Sequence, residues 1–518
     1  MKRIDLSNSW LAISLSLLMF LSVVSCGPQT QPLTSEAPEA PAAVEQRAAA
    51  APQVAEEPAP ATEISAAEPA SLVFPIPEDE MTPLDKYVAA EDPVFTYDTP
   101  PARIQEEEGY TARIYHMVSQ EWLKPEQVDR TKWEHWLVII EPRELTQSEA
   151  LMFIGGGSNK PEPPDADEGL ARIAVMTKSI VAEIKQIPNE RLKFSDETDE
   201  RYKENGRTED ELIGYCWDKF LVTGDPMWLT RLPMTKAVVR GMDVVQKEQP
   251  RVDKFTIVGG SKRGWTTWTV GAVDPRVVAI CPAVIDVLRV VQSLDNHYAA
   301  YGFWAPAIHD YEDMQVLARM HTPEFEALCD VVDPYSYIDR LTMPKYIINS
   351  AGDQFFPPNS WEFYFDDLKG EKYLRYVPNT DHGLNMEAYL NVASFHNAII
   401  NNTPRPDFSW RRESDGNLVV ECETEPSKVL LWQATNPDAR DFRLETIGEA
   451  YTSTELAPAE PGVYKTAMAA PEKGWTAFLI ELEFPNPDFM LPFKFTTGVS
   501  VLPDVWPHVA PGTESAQQ

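Results

Sequence analysis

The spacing of apolar positions changes several times along the chain, and each change marks an element. "YTARIYHMV" (110–118) alternates apolar and polar positions, the period of a half-buried antiparallel strand. "WEHWLVIIEP" (133–142) and "ALMFIGGGSN" (150–159) read as more deeply buried strands. "EGLARIAVMTKS" has the wider spacing of an amphipathic helix, "SIVAEIKQI" is again a strand, and "MTKAVVRGMDVVQKE" is a second helix. The short apolar run "KFTIVGGS" stops at glycine and is followed by the helix "RGWTTWTVGAV". "RVVAICPAVI", "KYIINSAGDQ" and "KYLRYVPNTDHGL" are further β-rich runs, and the helix "MEAYLNVASFHNAII" closes the region.

Strands separated by helices predict a mainly parallel sheet covered on both faces, with antiparallel leading strands. The alternation breaks at about 286–341 into an aromatic, helical insertion, "HYAAYGFWAPAIHDYEDMQVLARM", placed to serve as a lid. After Thr403 come short alternating strands, "GNLVVECE", "KVLLWQATN", "TAFLIELEF" and "PFKFTTGVSVLP", which predict a small β-sandwich-like domain over 405–506 with a tail at 507–518. The expected fold is α/β of the α/β-hydrolase kind over 80–404, with a helical lid and a β-rich C-terminal domain.

The first 72 residues do not fit this pattern. Lys2 and Arg3 precede an apolar core from Trp10 to Val24, as in a signal peptide over 1–25. The run ends in "VVSC", which resembles a bacterial lipoprotein box with Cys26 as the lipidated residue. Several acyl chains on one residue anchor stably to a membrane, where a single one does not. Residues 26–72 are rich in Ala, Pro and Glu and read as an extended tether. The expected location is therefore the cell envelope, lipid-anchored, on an outer-membrane, periplasmic or surface face.

Composition narrows the function. The 45 basic residues against 80 acidic ones give a net charge of −35, which argues against nucleic acid as a partner. No phosphate-binding loop spacing, HExxH or clustered metal ligands occur, so no cofactor and no metal are expected. Cys216, Cys281, Cys329 and Cys422 have no metal spacing, and the sequence alone does not pair them.

The chemistry gathers at "FTIVGGSKRGWTTW" (255–268). A serine hydroxyl needs a base, a carboxylate that orients the base, and donors for the oxyanion. Ser261 lies at a strand-to-helix turn after Gly259 and Gly260, and the helix N-terminus favours negative charge there. The elbow pattern has a small residue two positions after the serine; here that residue is Arg263, and Gly264 follows it. Asp353 follows a strand where the acid of such a triad falls, with Asp286 as the alternative acid. His382, in "NTDHGL", occupies the base's position, so the order is Ser, Asp, His. The backbone amides of Gly156, in the glycine loop 155–158, and of Lys262 are the expected oxyanion donors. Lys262 and Arg263 either carry charge to an anionic substrate or pair with carboxylates of the protein.

Together, "LMFIGGGSN", "SIVAEIKQIPNE", "TEDELIGYCWDKFLVTGDPMWLTRLPMTKAVVRGMDVVQ", "VGGSKRGWTTW", "INSAGDQFFPP" and "PNTDHGLN" resemble the PhoPQ-activated pathogenicity-related family across about residues 80–505. That resemblance implies an α/β-hydrolase branch whose serine, aspartate and histidine match Ser261, Asp353 and His382, and in which the arginine at position 263 belongs to the pattern. It also implies association with virulence and with resistance to cationic antimicrobial peptides. The expected function is hydrolysis of an ester or amide by a serine nucleophile, an ester more than a peptide bond. The alternatives are a non-catalytic lipoprotein that sequesters cationic peptides and a carbohydrate-binding scaffold.

Overall fold

The computed structural model describes residues 76–513. The signal peptide, Cys26 and the tether lie outside the described residues, as does the end of the tail. The described chain belongs to one compact unit.

Its centre is a sheet of 15 strands among the described residues. Strand β1 (Tyr110–Glu121) pairs antiparallel with β2 (Lys132–Pro142). Next come β3 (Glu149–Ile154), β4 (Ile180–Ile184), β5 (Lys254–Gly260), β6 (Val277–Ala283), β7 (Lys345–Ser350) and β8 (Lys372–Val377). Their spatial order is β1-β2-β4-β3-β5-β6-β7-β8, parallel from β4 through β8. Such strands have both faces covered, and every residue of β4 and β7 is buried. This is the α/β fold that the sequence predicts.

The helices of ten residues or more among the described residues are α1 (Glu168–Thr177), α2 (Glu209–Thr223), α3 (Arg231–Glu248), α4 (Lys262–Val273), α5 (Val290–Tyr301), α6 (Pro323–Val332) and α7 (Met386–Ile400). α1 and α7 cover one face, where Ala174 and Ala393 pack with Leu151, Val258 and Ile348. On the other face Val238, Trp265 and Trp268, from α3 and α4, pack with Met152 and Ile257. Local chemistry sets the helix starts: Asp167 caps α1 by accepting from the Leu170 amide, and Asn385 caps α7 by accepting from Ala388. Between β6 and β7 the chain is helical, carrying α5, α6 and shorter turns.

The C-terminal β-rich region differs from expectation in one respect. Strands β9 (Phe408–Arg412), β10 (Leu418–Cys422) and β13 (Val463–Lys465) form a separate small antiparallel sheet. Strands β11 (Lys428–Asn436), β12 (Thr452–Glu455), β14 (Trp475–Phe484) and β15 (Phe493–Thr496) instead continue the main sheet, in the order β15-β14-β11-β12 beyond β8. Leu418 and Val420 of the small sheet pack with Phe478, Ile480 and Leu482, so two sheets do stack. The join is made at Leu374 opposite Thr496 and by a buried Arg375–Glu481 ion pair of 2.5 Å. Among the described residues all four cysteines are free thiols.

Three histidines are locked inside as neutral rings. His135 meets Ser119 and the Lys185 carbonyl, His297 meets the Phe355 carbonyl and the Ala305 amide, and His396 meets Ser179 and Thr256. Burial lowers their pKa values to about 4, about 4 and about 3. Below the ordinary histidine pKa the unfolded chain binds protons that these rings refuse, so each ring's contribution to stability is lost as pH falls from about 6.5 toward 4. His396→Gln is expected to shrink the stability loss between pH 7 and pH 5 by roughly 2 kcal/mol relative to wild type, read from urea denaturation at the two pH values.

Candidate functional site

The end of β5 and the start of α4 approach so closely that side chains are excluded between them. A Cβ on Gly259 would stand 2.5 Å from the Arg263 carbonyl oxygen, and one on Gly264 2.8 Å from the Ala283 carbonyl. Ser261, at the apex, has φ 57° and ψ −127°, a conformation that a non-glycine residue adopts only when its surroundings enforce it. Two bonds do so: its amide donates to the Ala283 carbonyl at 2.8 Å, and its carbonyl accepts from the Trp265 amide at 2.9 Å. The side chain forms no capping hydrogen bond to α4. The hydroxyl is therefore held at the sheet edge and not spent on the helix.

Asp353 and His382 come from the loops after β7 and β8. These loops are tied together by the Ser350 hydroxyl donating to the Thr380 carbonyl at 2.5 Å. His382 Nδ1 lies 2.8 Å from Asp353 Oδ2 and 3.0 Å from Oδ1, and the His382 amide donates to Gln354 Oε1 at 2.9 Å. Asp353 is buried, and Oδ1 also accepts from the Phe355 amide at 2.7 Å, which fixes the carboxylate within an Asx turn. The Phe355 ring packs 4.3 Å from the imidazole, centre to centre. His382 Nε2 is buried and has no hydrogen-bond partner among the described residues. With Nδ1–H directed at a carboxylate, Nε2 is left as the basic nitrogen.

Asp286, the alternative acid, does not meet His382. It accepts from the hydroxyls of Tyr364, at 2.7 Å, and Tyr376. Burial raises its pKa to about 7 despite both phenols, and the nearby Asp353 adds to the rise.

The glycine loop leaves β3 at Ile154. The Gly155 amide is taken by the Ile184 carbonyl, whereas the Gly156 amide has no acceptor among the described residues. Lys262 is the first residue of α4, so its amide is one of the helix's unpaired donors. Both expected oxyanion donors are thus unspent.

The two cations after Ser261 are committed within the protein. Lys262 Nζ pairs with Glu209 at 2.9 Å and with Asp210 at 2.8 Å. Arg263 Nε donates to the Ile187 carbonyl at 2.5 Å and Nη2 to Glu209. Its guanidinium lies across Gly156, where a Cβ would collide with it. Burial works against the Lys262 ammonium, but Asp210 and Glu209 outweigh it and raise its pKa. Glu190, which accepts from the Glu209 amide, has its pKa raised to about 7 by burial and by Glu209. Beneath lies Arg231, buried without an ion-pair partner among the described residues, donating to the Lys262 carbonyl at 2.9 Å and stacked on Trp265 at 4.2 Å. Sequence reasoning missed Glu209, Asp210 and Arg231. The signal for the first two was the acidic run "TEDE" opening α2, where Glu211 accepts from the Thr208 amide in the manner of a capping box. No group of metal-ligating side chains occurs among the described residues.

The strand order and the strained serine turn between β5 and α4 define the class: an α/β-hydrolase fold. The chain belongs to the PhoPQ-activated pathogenicity-related protein family, whose profile it matches over residues 84–443. It is 35% identical over 460 residues to autocrine proliferation repressor protein A of Dictyostelium discoideum, covering 82% of this chain and 91% of that protein. Among solved structures it is similar to acetyl xylan esterase 1 from Thermoanaerobacterium sp. JW/SL YS485, at 14% identity and a TM-score of 0.42, over 64% of this chain and 96% of that one. An acetyl xylan esterase from Paenibacillus sp. R4 matches at 13% identity and a TM-score of 0.44, over 61% and 92%.

Removing one member of a buried ion network leaves its partners charged and unpaired. Lys262→Met is expected to cost about 3 kcal/mol, read from the denaturant midpoint. Combining it with Asp210→Asn should recover part of that loss, because the stranded carboxylate is gone.

Proposed function

We propose that the protein is a serine hydrolase that cleaves carboxylic esters. The observation that carries the reading is the His382 imidazole, anchored through Nδ1 by Asp353 with a buried and unpartnered Nε2. In this mechanism Ser261 Oγ attacks the ester carbonyl while His382 Nε2 takes its proton. The Gly156 and Lys262 amides hold the oxyanion as the tetrahedral intermediate forms. Collapse of that intermediate breaks the bond to the leaving alkoxide, which receives the proton from His382 and departs as the alcohol. Water, deprotonated by the same nitrogen, then attacks the acyl-serine and releases the acid. Asp353 keeps the imidazole in the tautomer that exposes Nε2 and stabilises the imidazolium. A fluorophosphonate probe should label Ser261 and no other residue, and Ser261→Ala should lose labelling and about 10⁴-fold or more in ester turnover while remaining folded. Failure of the folded wild type to label, with no ester or amide turned over, overturns the reading.

The net charge of −35 favours a second reading, electrostatic capture of cationic peptides. That binding would weaken with salt and persist in Ser261→Ala, whereas the hydrolase loses turnover in the same variant. In either role the protein works at the cell envelope, held by acyl chains on Cys26. Cys26→Ser should move it from the detergent phase to the aqueous phase in a two-phase detergent partition, and a protein that stays in the detergent phase refutes the anchor.

A further inference from the structure

A cavity of about 190 Å³ borders the glycines of both loops that build the site: Gly155 and Gly156 of the glycine loop, Gly259 and Gly260 of the elbow. Away from those backbone atoms its walls are apolar, made by Phe153, Val258, Ile348, Leu384, Ala388 and Val392. Val258 and Ile348 come from the buried strands β5 and β7, and Ala388 and Val392 from the covered side of α7, so the far end is closed by core residues. Of the lining residues Tyr389 is the exposed one, at 41%, and Leu384 belongs to the loop that carries His382. The only charged side chain in the wall is Arg263, two of whose nitrogens are already bonded to Ile187 and Glu209.

We propose that this cavity is the acyl subsite of the ester hydrolase and that it takes a compact, uncharged aliphatic acyl group of about four to six carbons. The inference rests on the serine-hydrolase reading above. Oxyanion donors at Gly156 and Lys262 place the substrate carbonyl next to the glycines that line the cavity. Of the two groups on that carbonyl, the leaving alcohol must face His382 and have a way out. The acyl group stays attached through both half-reactions, and a closed apolar end suits it. Size follows from volume: an apolar cavity of about 150 Å³ accommodates a benzene-sized guest of six carbons, so this one is filled by a chain of similar carbon count and rejects longer ones. The lining provides no free cation to receive a carboxylate and few polar groups to receive a sugar, so acyl chains bearing charge or several hydroxyls are poor occupants.

The test is a series of p-nitrophenyl esters, from acetate through butyrate, hexanoate and octanoate to decanoate, with the folded full-length protein. In the wild type kcat/KM should peak at butyrate or hexanoate and fall about tenfold or more by decanoate. Ala388→Leu narrows the cavity and should lower the hexanoate-to-acetate ratio of kcat/KM about tenfold, within the range that one methylene commands in an apolar pocket. Val392→Ala widens it and should move the peak toward octanoate; it keeps the test open if the first variant does not fold. Melting followed by circular dichroism identifies which variants fold. A profile that neither variant shifts, in protein that labels at Ser261 and hydrolyses esters, overturns the acyl subsite and leaves the hydrolase reading standing. Absence of both labelling and turnover across the series overturns the two together.

Discussion

The hydrogen bond from the Ser261 amide to the Ala283 carbonyl is the contact on which the site depends. It fixes the turn between β5 and α4 against the neighbouring strand, and it exists only because the backbone there comes close enough to exclude side chains at Gly259 and Gly264. Holding a serine in that conformation costs about 1–3 kcal/mol. The cost is met by the burial of Trp265 and Trp268 on the inner face of α4, since fully burying large apolar side chains contributes about 1.5–3 kcal/mol each. Strain at the apex is thus underwritten by packing one and two turns further along the same helix.

The same geometry explains an arginine where a small residue is usual. At the second position of α4 the Arg263 side chain runs sideways across Gly156 to Ile187 and Glu209. Gly264 then takes over the close approach to β6. One consequence is that the glycine loop and the elbow, distant in sequence, are clamped by a single guanidinium. Another is that a strongly acidic protein gathers Lys262, Arg263 and Arg231 close behind Ser261 and pairs the first two with Glu209 and Asp210. Local charge at the site is therefore set independently of the net charge.

Much of this was legible in the chain. Strand and helix periods revealed β3 through β8, because strands buried on both faces read as unbroken apolar runs. Ser261, Asp353 and His382 were marked by their places after β5, β7 and β8, and the structure brings the last two into contact. What the chain did not reveal is set by contacts between distant segments. The partners of Lys262 and Arg263 sit about 50 positions upstream on α2, a helix whose apolar pattern is blurred because Leu212, Tyr215, Trp217 and Phe220 bury it on several sides. Asp286 and Asp353 look alike in sequence, each following a strand, and their partners tell them apart: the phenols of Tyr364 and Tyr376 for Asp286, the imidazole of His382 for Asp353. The continuation of the sheet past β8 turns on Leu374 opposite Thr496 and on the Arg375–Glu481 ion pair, which no local pattern encodes.

That continuation bears on how the molecule keeps to itself. A parallel sheet that ended at β8 would present a row of unpaired amides and carbonyls along a strand whose last four residues, Leu374 to Val377, are all buried here. An open edge of that kind recruits other strands, including those of a second copy. Here β15 covers part of that edge, and the chain carries on through β14 and β11 to β12, whose four residues are all exposed and polar, Thr-Ser-Thr-Glu. The C-terminal hundred residues are in this sense a hem: they move the raw margin of the sheet from a strand with a buried half to a short, fully exposed hydrophilic one.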